Sequence, residues 1–333
     1  MQEVGRWMQK VKLETKHRMI KKLLFALLIL ISFHGFSQNI SLSNQAKVSI
    51  LTCGTGPESY AMYGHTGIRI QDVSQQIDVV YNYGAFDFDT PNFIGRFVKG
   101  DLQYFVTNGS YIDFYYNYQA ENREIIEQDL ALSPAQINQL FQQLNASVYS
   151  DDRFYTYKFI DRNCTTMVVD KINNTLGSEY IKSQNSNQSY REILYPYMSD
   201  FYMKLGIQLI FGAKVDEPAT RLFLPYEFKK AISNTKVNGT TIEQSNKTIL
   251  EERKTDIPFN WLNSIYSLIG ILFLLVILGK KWLKISYLIF AGLLGVFFSL
   301  VGLYSLHEEI LWNYNILLFN PLLLVFAWHY WKG

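Results

Sequence analysis

From Trp261 to the C-terminus the chain is written almost entirely in apolar residues, and no soluble domain of this size absorbs so continuous a stretch. Three runs stand out, Trp261 to Gly279, Leu283 to Tyr304 and Ile316 to Tyr330, separated by Lys280, Lys281 and Lys284 and then by His307-Glu-Glu309. A helix crosses a bilayer with about 20 apolar residues. The first two runs reach that length, and the third does so if tilted or packed against its neighbours. Lysines favour the cytoplasmic side, which places the 280 to 284 loop inside, His307 to Asn315 outside and Lys332 inside. Three C-terminal transmembrane helices over 261–333 are therefore expected, with the preceding domain outside the cytoplasm.

The opposite end agrees. Met19-Ile-Lys-Lys leads into Leu23 to Ile31, an apolar run too short to span, followed by His34-Gly-Phe-Ser-Gln38. That is the pattern of a secretory signal peptide, with an uncleaved anchor as its alternative, and Met19 makes a better start than Met1 because charge would then directly precede the apolar run. Residues 1–38 are read as leader, 39–232 as the exported catalytic domain and 233–260 as a polar linker. The formal net charge is only +2, from 31 basic and 29 acidic residues. Seven of those basic residues and two of the acids precede residue 23, so the remainder is slightly acidic. No nucleic-acid partner is expected of such a chain. With 48% hydrophobic and 18% charged residues it is not a disordered one either.

Within the exported stretch, Lys47 to Thr52, Gly67 to Asp72 and Ile77 to Tyr83 are short β-branched and aromatic runs, with Val73 to Gln76 able to turn a hairpin between the last two. Helix signals follow: Ser133-Pro-Ala-Gln as N-cap and first turn, then Cys164 to Leu176 with Cys164, Met167, Val168, Ile172 and Leu176 on one face and Gly177 at the end. Strands interleaved with helices predict an α+β domain.

Of five histidines only His65 falls in this domain, and the two cysteines, Cys53 and Cys164, are far apart in sequence. Those numbers build neither a disulfide framework nor a zinc site of His and Cys ligands; a metal held by carboxylates is the alternative left open, but no EF-hand or similar loop is present, and no cofactor is expected. Asp161-Arg162-Asn163-Cys164-Thr165-Thr166 puts a thiol in the first turn of a helix, where free N–H groups, the helix dipole and Arg162 favour a thiolate. A nucleophilic thiol needs a base, and His65 is the histidine available. Each residue also has a plain reading: Cys164 as a small buried residue on an apolar helix face, His65 as a hydrogen-bonded loop residue. Cys53, at the end of a strand before Gly54, reads as core or turn, although a Cys53 to Cys164 disulfide is conceivable in an oxidising compartment.

The order His65-Thr-Gly-Ile-Arg69, then Asn163-Cys-Thr-Thr166, resembles the circularly permuted papain-like fold, the superfamily of the NlpC/P60-related peptidases and the lecithin:retinol acyltransferase group. Leu51-Thr-Cys-Gly-Thr-Gly-Pro-Glu-Ser-Tyr60, Tyr63-Gly-His65, Tyr81-Asn-Tyr-Gly-Ala-Phe-Asp-Phe88, Arg162-Asn-Cys-Thr-Thr166 and Phe223-Leu-Pro225 are together similar to the DUF4105 or Lnb family, over about Val48 to Lys230, and Asn313 to Pro321 extends the likeness into the tail. That family includes lipoprotein N-acyltransferases, and relatives with five membrane helices differ from the three expected here.

The resemblance implies a reaction in which the Cys164 thiolate takes an acyl chain from a phospholipid and passes it to the free amine of a diacylglyceryl lipoprotein at the cytoplasmic membrane, with the catalytic domain on the periplasmic side. His65 would be base and then acid, and the Cys164 N–H an oxyanion donor. Asn82, on the neighbouring strand of the hairpin, is the choice to orient the imidazole, its alternative being a strand-end residue bonded to its own backbone. Tyr63, Arg162, Asn163 and His307 are the expected substrate contacts, His307 with Glu308 and Glu309 lying in the outward loop, where an ordinary solvated loop is the alternative. Tyr and Phe, 23 each, offer an acyl-binding or headgroup-facing surface, or simply core. A membrane-tethered cysteine peptidase and a non-enzymatic scaffold remain the competing functions.

Overall fold

The computed structural model describes residues 18–22, 41–184, 187–197, 200–253 and 258–333. The apolar core of the leader lies outside these residues; residues 18–22 are helical. Leu42–Gly333 forms one compact unit.

Its centre is a seven-stranded, wholly antiparallel sheet. In chain order the strands are β1 Lys47–Cys53, β2 His65–Asp72, β3 Ile77–Ala85, β4 Gln103–Ser110, β5 Ile125–Leu130 and β6 Phe154–Thr156, then a short β7 Lys236–Val237 and β8 Thr240–Thr241 hairpin, and β9 Glu243–Leu250. Across the sheet the order is β6-β4-β3-β2-β1-β5-β9. The hairpin between β2 and β3 closes at Val73–Gln75, with Gln76 left-handed at φ 57, and so fixes Gly67 opposite Asn82. The helices are α1 Phe93–Lys99, α2 Tyr111–Ala120, α3 Pro134–Tyr149, α4 Cys164–Leu176, α5 Tyr190–Leu194, α6 Phe201–Ile210, α7 Pro225–Asn234, α8 Ile265–Leu278, α9 Lys281–Tyr304 and α10 Leu322–Lys332.

Alternation along the central strands divides the core between two faces. Ile50, Ile68 and Ile70 meet Leu140 and Leu144 of α3 and Val168 and Ile172 of α4. Leu51, Cys53 and Val80 meet Phe114 of α2. Ile172 is fully buried, a contribution of about 1.5–3 kcal/mol. Helix α3 starts where Ser133 and Gln136 form a reciprocal capping box with Pro134 in the first turn. A further cluster of Ile160, Leu194, Phe211, Val215, Phe223 and Leu224 lies beside the loop that precedes α4.

Two expectations are corrected. The stretch 233–260 is not simply a linker. Asn238 and Gly239, with φ of 50 and 84, turn the β7–β8 hairpin, and β9 then pairs with β5 as an edge strand, its exposed polar side chains facing water. At the C-terminus two segments, Lys281–Tyr304 and Glu308–Lys332, are long and apolar enough to cross a membrane, not three. The run from Trp261 yields only the 14-residue α8, about 21 Å long. Its first residues are tied into a bend, with Ser264 Oγ donating to the Trp261 carbonyl at 2.6 Å and Asn263 bonded to Asp200. At its other end Gly279 turns left-handed at φ 60. In the last segment the regular helix begins only at Leu322, after Pro321. It packs closely on α9 because Gly292 and Gly295 present no side chain there: a Cβ on Gly295 would collide with the Phe319 carbonyl.

The loop after α9 is stitched into the domain. Gly212 donates to the Glu309 carbonyl at 2.7 Å and Ala213 to that of Leu311 at 3.0 Å. The Asn313 and Asn315 amides both donate to the Leu209 carbonyl at the end of α6. Lys214 binds both Glu308, at 2.6 Å, and Asp161.

Candidate active site

Cys164 opens α4, and the residue before it builds the turn. Asn163 is the N-cap: its Oδ1 accepts from the Thr165 and Thr166 N–H groups, each at 2.9 Å, while its own N–H donates to Thr166 Oγ1 at 2.8 Å. Its Nδ2 donates to the Phe159 carbonyl at 2.7 Å and the Phe223 carbonyl at 2.8 Å. Both donors and both acceptor sites of the amide are thus used inside the protein, and what Asn163 does is seat the helix start. The Phe223-Leu-Pro225 segment owes part of its place to this carbonyl.

His65 opens β2 directly after Gly64. Only glycine suits that position, because its φ is +81 and a Cβ would stand 2.5 Å from the Cys53 carbonyl oxygen. The imidazole reaches across the hairpin, its Nε2–H donating to Asn82 Oδ1 at 3.1 Å, so that Nδ1 is the ring nitrogen able to exchange a proton. Gly67, opposite Asn82 in register, keeps this space open: a Cβ there would meet Asn82 Oδ1 at 3.4 Å. One residue along, the Thr66 and Thr165 hydroxyls, both buried, bond at 3.0 Å and clip β2 to α4 beside the His65 and Cys164 pair.

The electrostatics of the two groups are reciprocal. Burial would raise the Cys164 thiol, but the imidazole beside it, hydrogen bonds from His65 and the Thr66 N–H, and the Thr165 hydroxyl hold it below the ordinary thiol range. Burial would lower His65, but attraction to Cys164 and hydrogen bonds to Cys164 and Asn82 carry it above the ordinary imidazole value. Cys164 and His65 each retain partial exposure, whereas Cys53 has none. Gly84, left-handed at φ +91, passes beside the thiol: a Cβ on it would lie 3.7 Å from Cys164 Cβ, 3.9 Å from a Tyr157 ring carbon and 4.0 Å from the Tyr155 hydroxyl. Tyr155 and Tyr157 therefore stand beside Gly84 and Cys164.

The remaining expected contacts lie around this pair or away from it. Tyr63 is half-buried, its ring 5.3 Å from Phe159 and 6.2 Å from Tyr197. Arg162 is exposed, its guanidinium 5.0 Å from the Tyr155 ring. His307 faces α1 instead, its Nε2–H donating to the Phe97 carbonyl at 2.7 Å. Cys53 is a free, fully buried thiol and Cys164 is also free. No role was expected of Thr66, Thr165, Gly84, Tyr155 or Tyr157, although Thr66, Gly84 and Thr165 fall inside the motifs given above. The concavity lined by Gln188, Ile193, Pro196, Tyr197, Glu227 and Lys230 contains neither His65 nor Cys164. Among the described residues no group of three His, Cys, Asp or Glu side chains could hold a metal ion.

Comparison with known proteins bears on the same stretch. Residues 33–195 match the family model described as the Lnb N-terminal periplasmic domain. No curated protein and no solved structure gives a match. The family match supports the Lnb family for this chain. Together with two apolar C-terminal segments, it is consistent with a membrane protein that carries a periplasmic domain.

Proposed function

We propose that this chain is an Lnb-type membrane-bound acyltransferase of permuted papain-like design, with Cys164 as nucleophile and His65 as its acid–base partner. The observation that carries the reading is the reciprocal pair: a half-buried thiol at a capped helix start, held below its ordinary range by an imidazole that Asn82 orients.

In this reaction the Cys164 sulfur attacks the carbonyl carbon of a phospholipid ester. Charge gathers on the carbonyl oxygen, where the Cys164 N–H is available because the Asn163 cap serves Thr165 and Thr166 instead. The ester C–O bond breaks, the imidazolium of His65 protonates the departing alkoxide, and a lysophospholipid leaves behind an acyl thioester. A lipoprotein's N-terminal amine then attacks the thioester, neutral His65 takes the surplus proton, and the sulfur departs as thiolate, restoring the pair. Both acyl donor and diacylated acceptor reside in a bilayer, where the C-terminal segments would hold the domain.

The full chain is incubated in mixed micelles with a phospholipid labelled in its acyl chains and a diacylated lipopeptide. Lysophospholipid and N-acyl lipopeptide should form in equal amounts, and Cys164→Ser should lose roughly 10⁴-fold or more of that turnover. Cleavage of the peptide without N-acylation would point to the peptidase, and undiminished activity in Cys164→Ser to a structural thiol.

A further inference from the structure

Helix α1 is held at the point where the apolar segment α9 ends. Tyr304 is the last residue of α9, and the next three residues bond to successive carbonyls of α1. Ser305 Oγ donates to Val98 at 2.9 Å, the Leu306 N–H to Lys99 at 2.6 Å, and His307 Nε2 to Phe97 at 2.7 Å. These carbonyls belong to the last turn of α1, where helical partners run out; Phe97 also accepts from the Gly100 N–H at 3.1 Å, and the residues after α9 complete the cap.

The face α1 turns outward is apolar. Ile94 is 70% exposed, Phe97 48% and Val98 44%, at the spacing of one helix side, with Arg96 exposed beside them. Scattered exposed apolar residues need no explanation, but this patch is contiguous. Phe88 is 63% exposed, its ring 5.1 Å from Phe93 and 4.9 Å from Phe86. From Phe86 the aromatic contacts run inward, to Tyr104 at 5.3 Å and from Tyr104 to Tyr157 at 4.5 Å. Tyr157 is one of the two tyrosines beside Gly84 and the Cys164 sulfur.

We propose that α1 with Phe86 and Phe88 is a lipid-entry site: it rests in the headgroup layer of the bilayer that α9 enters, and takes a phospholipid acyl chain along Phe86, Tyr104 and Tyr157 toward Cys164. The occupant follows from continuity with α9, since a surface capped by the first residues beyond a membrane-length helix lies within about a turn of that helix's apolar layer. Arg96 adds a positive charge where the phosphate would lie. The chain-binding half of this assignment rests on the acyl-transfer reading, whereas the seating in lipid does not.

The seating is tested without turnover. A nitroxide is placed at Ile94→Cys in the full-length Cys164→Ser chain, reconstituted in phosphatidylcholine and phosphatidylglycerol vesicles, with Val73→Cys in the β2–β3 turn as reference. Collisions with oxygen should exceed those with a water-soluble nickel chelate several-fold more at position 94 than at position 73. A label at 94 as open to nickel as that at 73 overturns the proposal. So does one shielded from both reagents, the outcome expected if a protein partner or second copy covers the face.

The second arm uses Ile94→Asp with Val98→Asp and intact Cys164. Release of lysophospholipid from vesicles should fall about tenfold, while alkylation of Cys164 by iodoacetamide keeps its wild-type rate. Unchanged release would overturn the entry route. If wild-type protein releases no lysophospholipid while the label at 94 reads lipid, the seating is supported and the acyl-transfer reading fails. If wild-type protein is active and the label reads water, the entry site fails alone.

Discussion

Cys53 and Cys164 are free thiols with His65 as a common neighbour, yet their surroundings drive them in opposite directions. Cys53 is the cross-strand partner of His65 and lies fully buried among Leu51, Val80, Phe114 and Ile125. Burial pushes its thiol up to about 12, and a Tyr118 hydrogen bond and the Arg123 charge do not offset this. Cys164 is also penalised by burial, but it gains the imidazole, the Thr66 N–H and the Thr165 hydroxyl, and ends below the ordinary range. What separates the raised thiol from the lowered one is therefore not burial alone but whether hydrogen bonds and a partner able to carry opposite charge converge on the sulfur.

That contrast can be broken at its strongest point by His65→Ala. Without the imidazole the dominant remaining influence on Cys164 is burial, which raises a thiol, so the midpoint of its alkylation against pH should move upward and the rate at pH 7 fall. Acyl transfer should drop about 10²- to 10⁴-fold. An unchanged alkylation profile would mean the two groups do not interact. Asn82→Ala removes the acceptor on Nε2 and frees the ring to turn; turnover should fall roughly 10- to 100-fold while the fold persists by circular dichroism. Thr165→Val leaves the Thr66 hydroxyl buried without its partner, at about 1–3 kcal/mol of stability in denaturant titration, and adding Thr66→Val should recover most of it. Cys53→Ala sharpens the comparison from the inert side. It should cost about 1 kcal/mol through the lost side-chain volume and leave turnover within about twofold of wild type.

Much of the region around Cys164 was legible because local rules decide it. Asn163 before Cys164 and Gly177 after Leu176 bracket α4 by cap chemistry. The turn at Val73–Gln75 makes the β2–β3 register a matter of counting, and counting puts Asn82 on the strand beside His65. The Thr66 to Thr165 bond joins residues ninety-nine apart in sequence, and nothing local encodes it. Asn238-Gly239 was a readable hairpin signal, obscured because the polar composition of its neighbourhood matches both a linker and an edge strand. The bend that shortens α8 depends on Asp200, and the stitching of His307 to α1 on carbonyls, groups every residue carries; neither leaves a mark in side-chain periodicity.

The amide of Asn163 has a temporal consequence as well as a spatial one. Its bond to the Phe223 carbonyl means that the seat of the sulfur is finished by a segment synthesised sixty residues later. Were the chain threaded outward N-terminus first, as the proposed location implies, Asn163 would lack that bond until residue 223 had followed it. On the acyl-transfer reading, order of arrival would then hold back the chemistry until most of the domain has crossed.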